Sequence, residues 1–80
     1  MSKNKAFYLN QLKPGQKCKL VDVNIGGATG QRLTDMGFIP GVEIEVLRNA
    51  PLVDPVELKI RGYNVSIRHS DAKYIEVNIL

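Results

Sequence analysis

Arg32-Leu33-Thr34-Asp35-Met36-Gly37-Phe38-Ile39-Pro40-Gly41 runs directly into Val42-Glu43-Ile44-Glu45-Val46. Leu33 and Met36 are three apart and share one face of a helix, while Arg32 and Asp35 point away from it. Gly37 stands where such a helix ends, because a left-handed C-cap residue costs glycine no steric penalty. Pro40-Gly41 suits a turn, with proline presetting φ and glycine accepting a positive one. The alternation from Val42 to Val46 then starts a strand. The segment therefore predicts a short helix, a tight reversal and a β-strand, with no catalytic grouping inside it.

The same period of two recurs along the chain. Val21, Val23 and Ile25 alternate with Asp22 and Asn24; Val56, Leu58 and Ile60 with Glu57 and Lys59. Val65 and Ile67 alternate with Ser66 and Arg68, and Ile75, Val77 and Ile79 with Glu76 and Asn78. Each run puts β-branched side chains on one face and polar ones on the other, as half-buried antiparallel strands require. Five short strands are too few for an ordinary sandwich, so the expectation is a mainly β fold, a small closed or nearly closed barrel with a short helical insertion. Arg61-Gly62-Tyr63-Asn64 predicts a tight hairpin, with Gly62 and Asn64 tolerant of positive φ. Ser70-Asp71-Ala72-Lys73 predicts a single helical turn capped by Ser70 or Asp71. Tyr8 to Leu12 reads as a turn or short helix, and Ala50 to Pro55, with its two prolines, as a stiff loop.

Eighty residues make one domain, 1–80, with one modest core. An apolar share of 44% and a charged share of 24% are ordinary globular values, which argues against disorder. The lone Cys18 excludes an internal disulfide and fits a reducing cytoplasm. Met1 to Lys5 is basic but no apolar run follows, so no signal peptide is expected, and no run approaches the roughly 20 apolar residues of a membrane span. Net charge is +3, and five lysines (Lys3, Lys5, Lys13, Lys17, Lys19) fall in the first nineteen residues. Beyond them the signs are mixed and aromatics are scattered, unlike the basic, aromatic-interleaved stripe of a nucleic-acid binder.

Chemistry is sparsely supplied. Cys18 and His69 are the only Cys or His ligands, against the four of a structural zinc site, and no loop clusters carboxylates in a calcium pattern. A Cys–His nucleophile pair would need a third orienting group that the sequence does not offer. Gly26-Gly27-Ala28-Thr29-Gly30 lacks both the Gly-Lys-Ser/Thr ending of a P-loop and the spacing of a dinucleotide fingerprint. The expectation is therefore no catalytic residue, no cofactor and no metal site. What remains is a binding module, in which Leu33, Met36 and Phe38 admit two readings, core packing and partner contact.

Gly26-Gly27 followed by Arg32-Leu33, Asp35-Met36-Gly37 and Pro40-Gly41 resembles the signature of the FeoA family. The resemblance extends through Leu9, Leu12 and Gly15, Ala50-Pro51-Leu52-Val53-Asp54-Pro55, Ile60-Arg61-Gly62-Tyr63, Ser66-Ile67-Arg68 and Asp71-Ala72, so that it covers about residues 9–77; Val53 stands where the family commonly has glycine. It implies an SH3-like barrel, of a kind also found at the C-terminus of some iron-dependent repressors. It also implies a cytoplasmic accessory protein of bacterial ferrous iron uptake, without enzymatic activity, whose partner is the cytosolic G-protein portion of the FeoB transporter. Membrane association would be indirect, through that transporter, and no nucleic acid is expected. The contact surface expected on this basis comprises Arg32, Leu33, Met36 and Phe38 with Arg61 and Arg68, since arginine and aromatic anchors dominate interface hot spots. Two other readings stay open: a nucleic-acid-binding barrel, and a domain that senses metal directly through His69, Cys18 or carboxylates.

Overall fold

The computed structural model describes residues 6–80; Lys3 and Lys5 of the basic N-terminal cluster lie outside them. The strands are β1 (Phe7–Tyr8), β2 (Lys17–Val23), β3 (Glu43–Arg48), β4 (Val56–Ile60), β5 (Tyr63–Ile67) and β6 (Ile75–Ile79). Helix α1 spans Gly27–Asp35, α2 spans His69–Ala72, and a 3₁₀ turn covers Leu9–Gln11. All strand pairings are antiparallel, in one six-stranded sheet of order β1-β6-β2-β3-β4-β5. The mainly β fold with a short helical insertion stands. The strand number rises by one, because two-residue β1 adds to the edge of β6 through Phe7↔Val77 and Tyr8↔Glu76. The hydrogen-bonded sheet does not close, and β1 and β5 form its edges.

The alternating residues supply the core: Ile44 and Val46 of β3, Val56, Leu58 and Ile60 of β4, and Ile75 and Val77 of β6 are each at most 2% exposed. Leu9 and Leu12 close the core beside the 3₁₀ turn, and Leu33, Phe38 and Ala72 complete it from the helical segments. In β2 the inward alternation expected of Val21, Val23 and Ile25 fails at Val21 alone. The strand begins at Lys17 and buries Cys18 and Leu20; then Leu20↔Val77 is followed by Asp22↔Glu76, leaving Val21 as the extra residue of a β-bulge. A bulge lets two consecutive side chains face outward, so Val21 and Asp22 are both exposed and Val23 and Ile25 return to the core. The same device at Leu47, between Val46↔Leu58 and Arg48↔Glu57, keeps Arg48 facing outward beside Leu47 in β3.

Two connections also differ in detail from expectation. The β4–β5 hairpin turns on Arg61 (φ 52°) and Gly62 (φ 83°), the two positive values that a type I′ turn needs. Asn64 is therefore a strand residue, opposite Lys59. Helix α2 is capped by Arg68, without a side-chain bond. Ser70 and Asp71 lie inside it, which frees the Asp71 carboxylate for another partner.

Candidate functional site

The site is built from the helix end that the sequence marks most clearly. Phe38 N–H donates to Leu33 O (3.1 Å) and Gly37 N–H to Thr34 O (3.0 Å), with Gly37 at φ 110°. These are the paired reverse bonds of a Schellman motif, and the accompanying apolar contact is supplied by Leu33 and Phe38, both wholly buried. The chain then reverses through Ile39–Val42, where Val42 N–H donates to Ile39 O (3.0 Å). Gly41 N–H reaches Leu20 O (2.8 Å) and ties the turn to β2. Met36, at the cap, is thereby fixed with its side chain half-buried against the core.

Of the six residues expected to face a partner, the structure gathers two. Met36 and Arg61 line one shallow groove of about 410 Å³, together with Asp35, Gly37, Ile60, Tyr63, Asn64 and Val65. Arg32 and Arg68 are exposed but belong elsewhere. Arg32 Nη2 lies 3.2 Å from Asp71 Oδ2 and links α1 to α2, while the Arg68 carbonyl accepts the Asp71 and Ala72 amides (both 3.0 Å). Leu33 and Phe38 are corrected to core residues, since their side chains have no accessible surface. A two-turn helix cannot stand alone, and these two side chains are what fasten it to the sheet.

Tyr63 was missed as a site residue although it is 73% exposed beside Met36. Its signal was in the alternation: it shares a face with Val65 and Ile67 and pairs with Ile60. That face passes from buried Ile67 through half-buried Val65 to exposed Tyr63. The groove is therefore the open mouth of the core, where β5 outruns the side chains that cover it.

The remaining chemistry is scattered. Cys18 is buried, and desolvation pushes its thiol from 9.0 to about 11, which keeps it protonated at neutral pH and suppresses thiolate reactivity. The His69 Nε2–H donates to Ala50 O and Val53 O, both at 3.0 Å, so its ring serves as a loop clamp. Among the described residues, no three His, Cys, Asp or Glu side chains lie close enough to hold a metal ion. Lys17 stands opposite Glu45, which in turn faces Lys59, and Lys19 stands opposite Glu43. Cross-strand pairing of opposite charges thus divides the central lysines instead of concentrating them in a stripe.

The chain is similar to known proteins over most of its length. The FeoA domain family matches residues 7–79. A Porphyromonas gingivalis protein, the Fe(2+) transport protein A/Fe(2+) transporter FeoB fusion protein, is 42% identical over 72 residues; the match takes in 90% of this chain but only 8% of that polypeptide. The solution structure of iron(II) transport protein A from Clostridium thermocellum superposes with a TM-score of 0.86 at 36% identity, over 92% of this chain and 46% of that one. The crystal structure of Stenotrophomonas maltophilia FeoA, a prokaryotic SH3 domain protein, superposes with a TM-score of 0.81 at 23% identity, over 91% of each chain, and speaks to the fold alone. With the family model matched over residues 7–79, the chain belongs to the FeoA family, and its sheet is SH3-like.

Proposed function

We propose that this chain is a non-enzymatic, cytoplasmic accessory protein of ferrous iron uptake that binds the cytosolic G-protein portion of the transporter FeoB and modulates it. The observation that carries the proposal is the Porphyromonas gingivalis relative, in which a segment matching 90% of this chain belongs to one polypeptide with the transporter. Covalent linkage places two modules at high effective concentration, which is productive only if they work in the same place. The groove supplies a surface with interface chemistry: a polarisable Met36, an exposed Tyr63 and the Arg61 guanidinium, which are residue types favoured in hot spots. Arg32 and Arg68, exposed outside the groove, add separate cationic contacts for the same partner, and Leu33 and Phe38 hold the helical wall from inside. No helix among the described residues is long and apolar enough to cross a membrane.

The test is calorimetric titration of the soluble cytosolic portion of the cognate transporter with this chain, in GDP and in a GTP analogue. Saturable heat is the expected result, and a nucleotide difference would assign the modulation to the G-protein cycle. Absence of binding in both states, and to the full transporter in detergent, would overturn the proposal.

A further inference from the structure

The most exposed large apolar side chain among the described residues is Leu52, at 97%. It sits at the tip of the Ala50–Pro55 loop with Val53, 56% exposed, beside it. Its backbone is left-handed (φ 61°), a conformation that leucine adopts only against steric resistance. The loop nevertheless holds one shape. Val53 N–H donates to Ala50 O (3.1 Å), the His69 Nε2–H donates to both Ala50 O and Val53 O (3.0 Å each), and Asp54 Oδ1 accepts the His69 amide (2.8 Å). Pro51 and Pro55 restrict φ on either side of the tip.

Folding gains little from this arrangement. A strained backbone and an uncovered leucine would both be relieved by glycine or asparagine at position 52, yet imidazole, carboxylate and two prolines keep the leucine projecting. Strain retained in a rigid, exposed loop points to use in recognition, because a pre-ordered side chain binds without a fresh ordering cost. We infer that Leu52, with Val53, is an apolar prong that inserts into a hydrophobic cleft on the cytosolic portion of the transporter. The inference rests on the partner proposed above and adds a second point of attachment, separate from the Met36–Tyr63 groove.

A lipid surface is the weaker fit. Leu52 and Val53 offer far fewer carbons than a myristoyl chain, which itself binds membranes only marginally. Asp54 next to the tip would also face anionic headgroups unfavourably. A cleft in a protein needs only one well-seated side chain, as hot-spot anchors do.

The experiment compares Leu52→Gly, Leu52→Asn and Leu52→Met by calorimetry against the same cytosolic portion, with thermal denaturation of each variant alongside. Glycine and asparagine accept the left-handed backbone, so both variants are expected to melt at or above the wild-type temperature while affinity falls roughly tenfold or more. Methionine keeps the apolar reach and is expected to bind within about threefold of wild type. Wild-type affinity in the glycine and asparagine variants would overturn the prong and leave the partner standing. Failure of the wild-type chain to bind would overturn both. Binding of the wild-type chain to phosphatidylcholine/phosphatidylserine vesicles, lost in Leu52→Asn, together with unchanged transporter affinity, would replace the cleft by a membrane.

Discussion

Gly30→Ala sets two effects of opposite sign against each other. Gly30 lies in the middle of α1 and is buried. Alanine in place of glycine in a helix interior is ordinarily worth about 0.8–1 kcal/mol, so helix propensity alone predicts a more stable protein. A Cβ built on Gly30, however, overlaps the Ile25 carbonyl oxygen and lies 3.1 Å from its carbonyl carbon. Both are backbone atoms of the segment leading from β2 into the helix, and neither can swing aside as a side-chain tip would. Relief requires α1 to lift from that segment, at the overpacking cost of about 1–3 kcal/mol, with the upper end apt because backbone must move. The net expectation is a loss of about 1–2 kcal/mol. For a domain of this size each 1 kcal/mol moves Tm by roughly 4–8 °C, so the midpoint should fall by roughly 4–16 °C. Thermal and urea unfolding followed by circular dichroism measure this directly. The helix also carries Met36, so the same variant should bind the transporter portion more weakly. A midpoint at or above wild type would show that the Ile25 carbonyl yields cheaply, and would refute the claim that close packing fixes glycine at this position.

Arg32→Glu places a second carboxylate against Asp71, whose side chain is 13% exposed, where a 3.2 Å ion pair stood. Because Arg32 itself is largely exposed, the stability loss should stay near 1 kcal/mol in denaturant titrations while calorimetric affinity falls; unchanged affinity would remove Arg32 from the proposed contact surface. Tyr63→Ala should leave urea stability within about 0.5 kcal/mol, the usual range for surface changes, and reduce affinity several-fold; full affinity would exclude the groove. Cys18 provides the pH prediction. Burial raises its thiol from 9.0 to about 11, so between those values the unfolded chain loses the proton while the folded chain keeps it. Stability should therefore fall as pH rises through that window, by about 2–3 kcal/mol in total from this group. Cys18→Ala, less stable at neutral pH, should show a shallower decline there, and parallel curves for the two proteins would contradict the assignment.

Much of the fold was legible because its strands obey a simple period. Val42-Ile44-Val46 and Val56-Leu58-Ile60 face inward without interruption, and each is buried as its spacing demands. The helix end was legible for a different reason: glycine at Gly37 satisfies a backbone requirement that other residues meet with strain. Where the reading failed, a single extra residue was responsible. A bulge inserts one position without altering composition, so Val21 looked like a partner of Val23 and Ile25 while pointing the other way. The hairpin shows the same limit, because Arg61 takes the left-handed place assigned to the more tolerant Asn64.

The groove was harder to read because the side chains that build it and those that present it lie next to each other in sequence. Leu33 and Phe38 flank Met36, yet the Schellman bonds turn the first two inward and leave only the third at the rim. Tyr63, the neighbour that makes Met36 part of a groove, comes from another strand, and only the pairing of Ile60 with Tyr63 brings it there. Leu52 lay beyond periodicity altogether. An apolar residue in a proline-rich loop reads as filler until its φ, its exposure and the His69 clamp are known together. These three observations concern one side chain and favour the same role, because a loop held this firmly around an uncovered leucine is shaped for a surface outside the molecule.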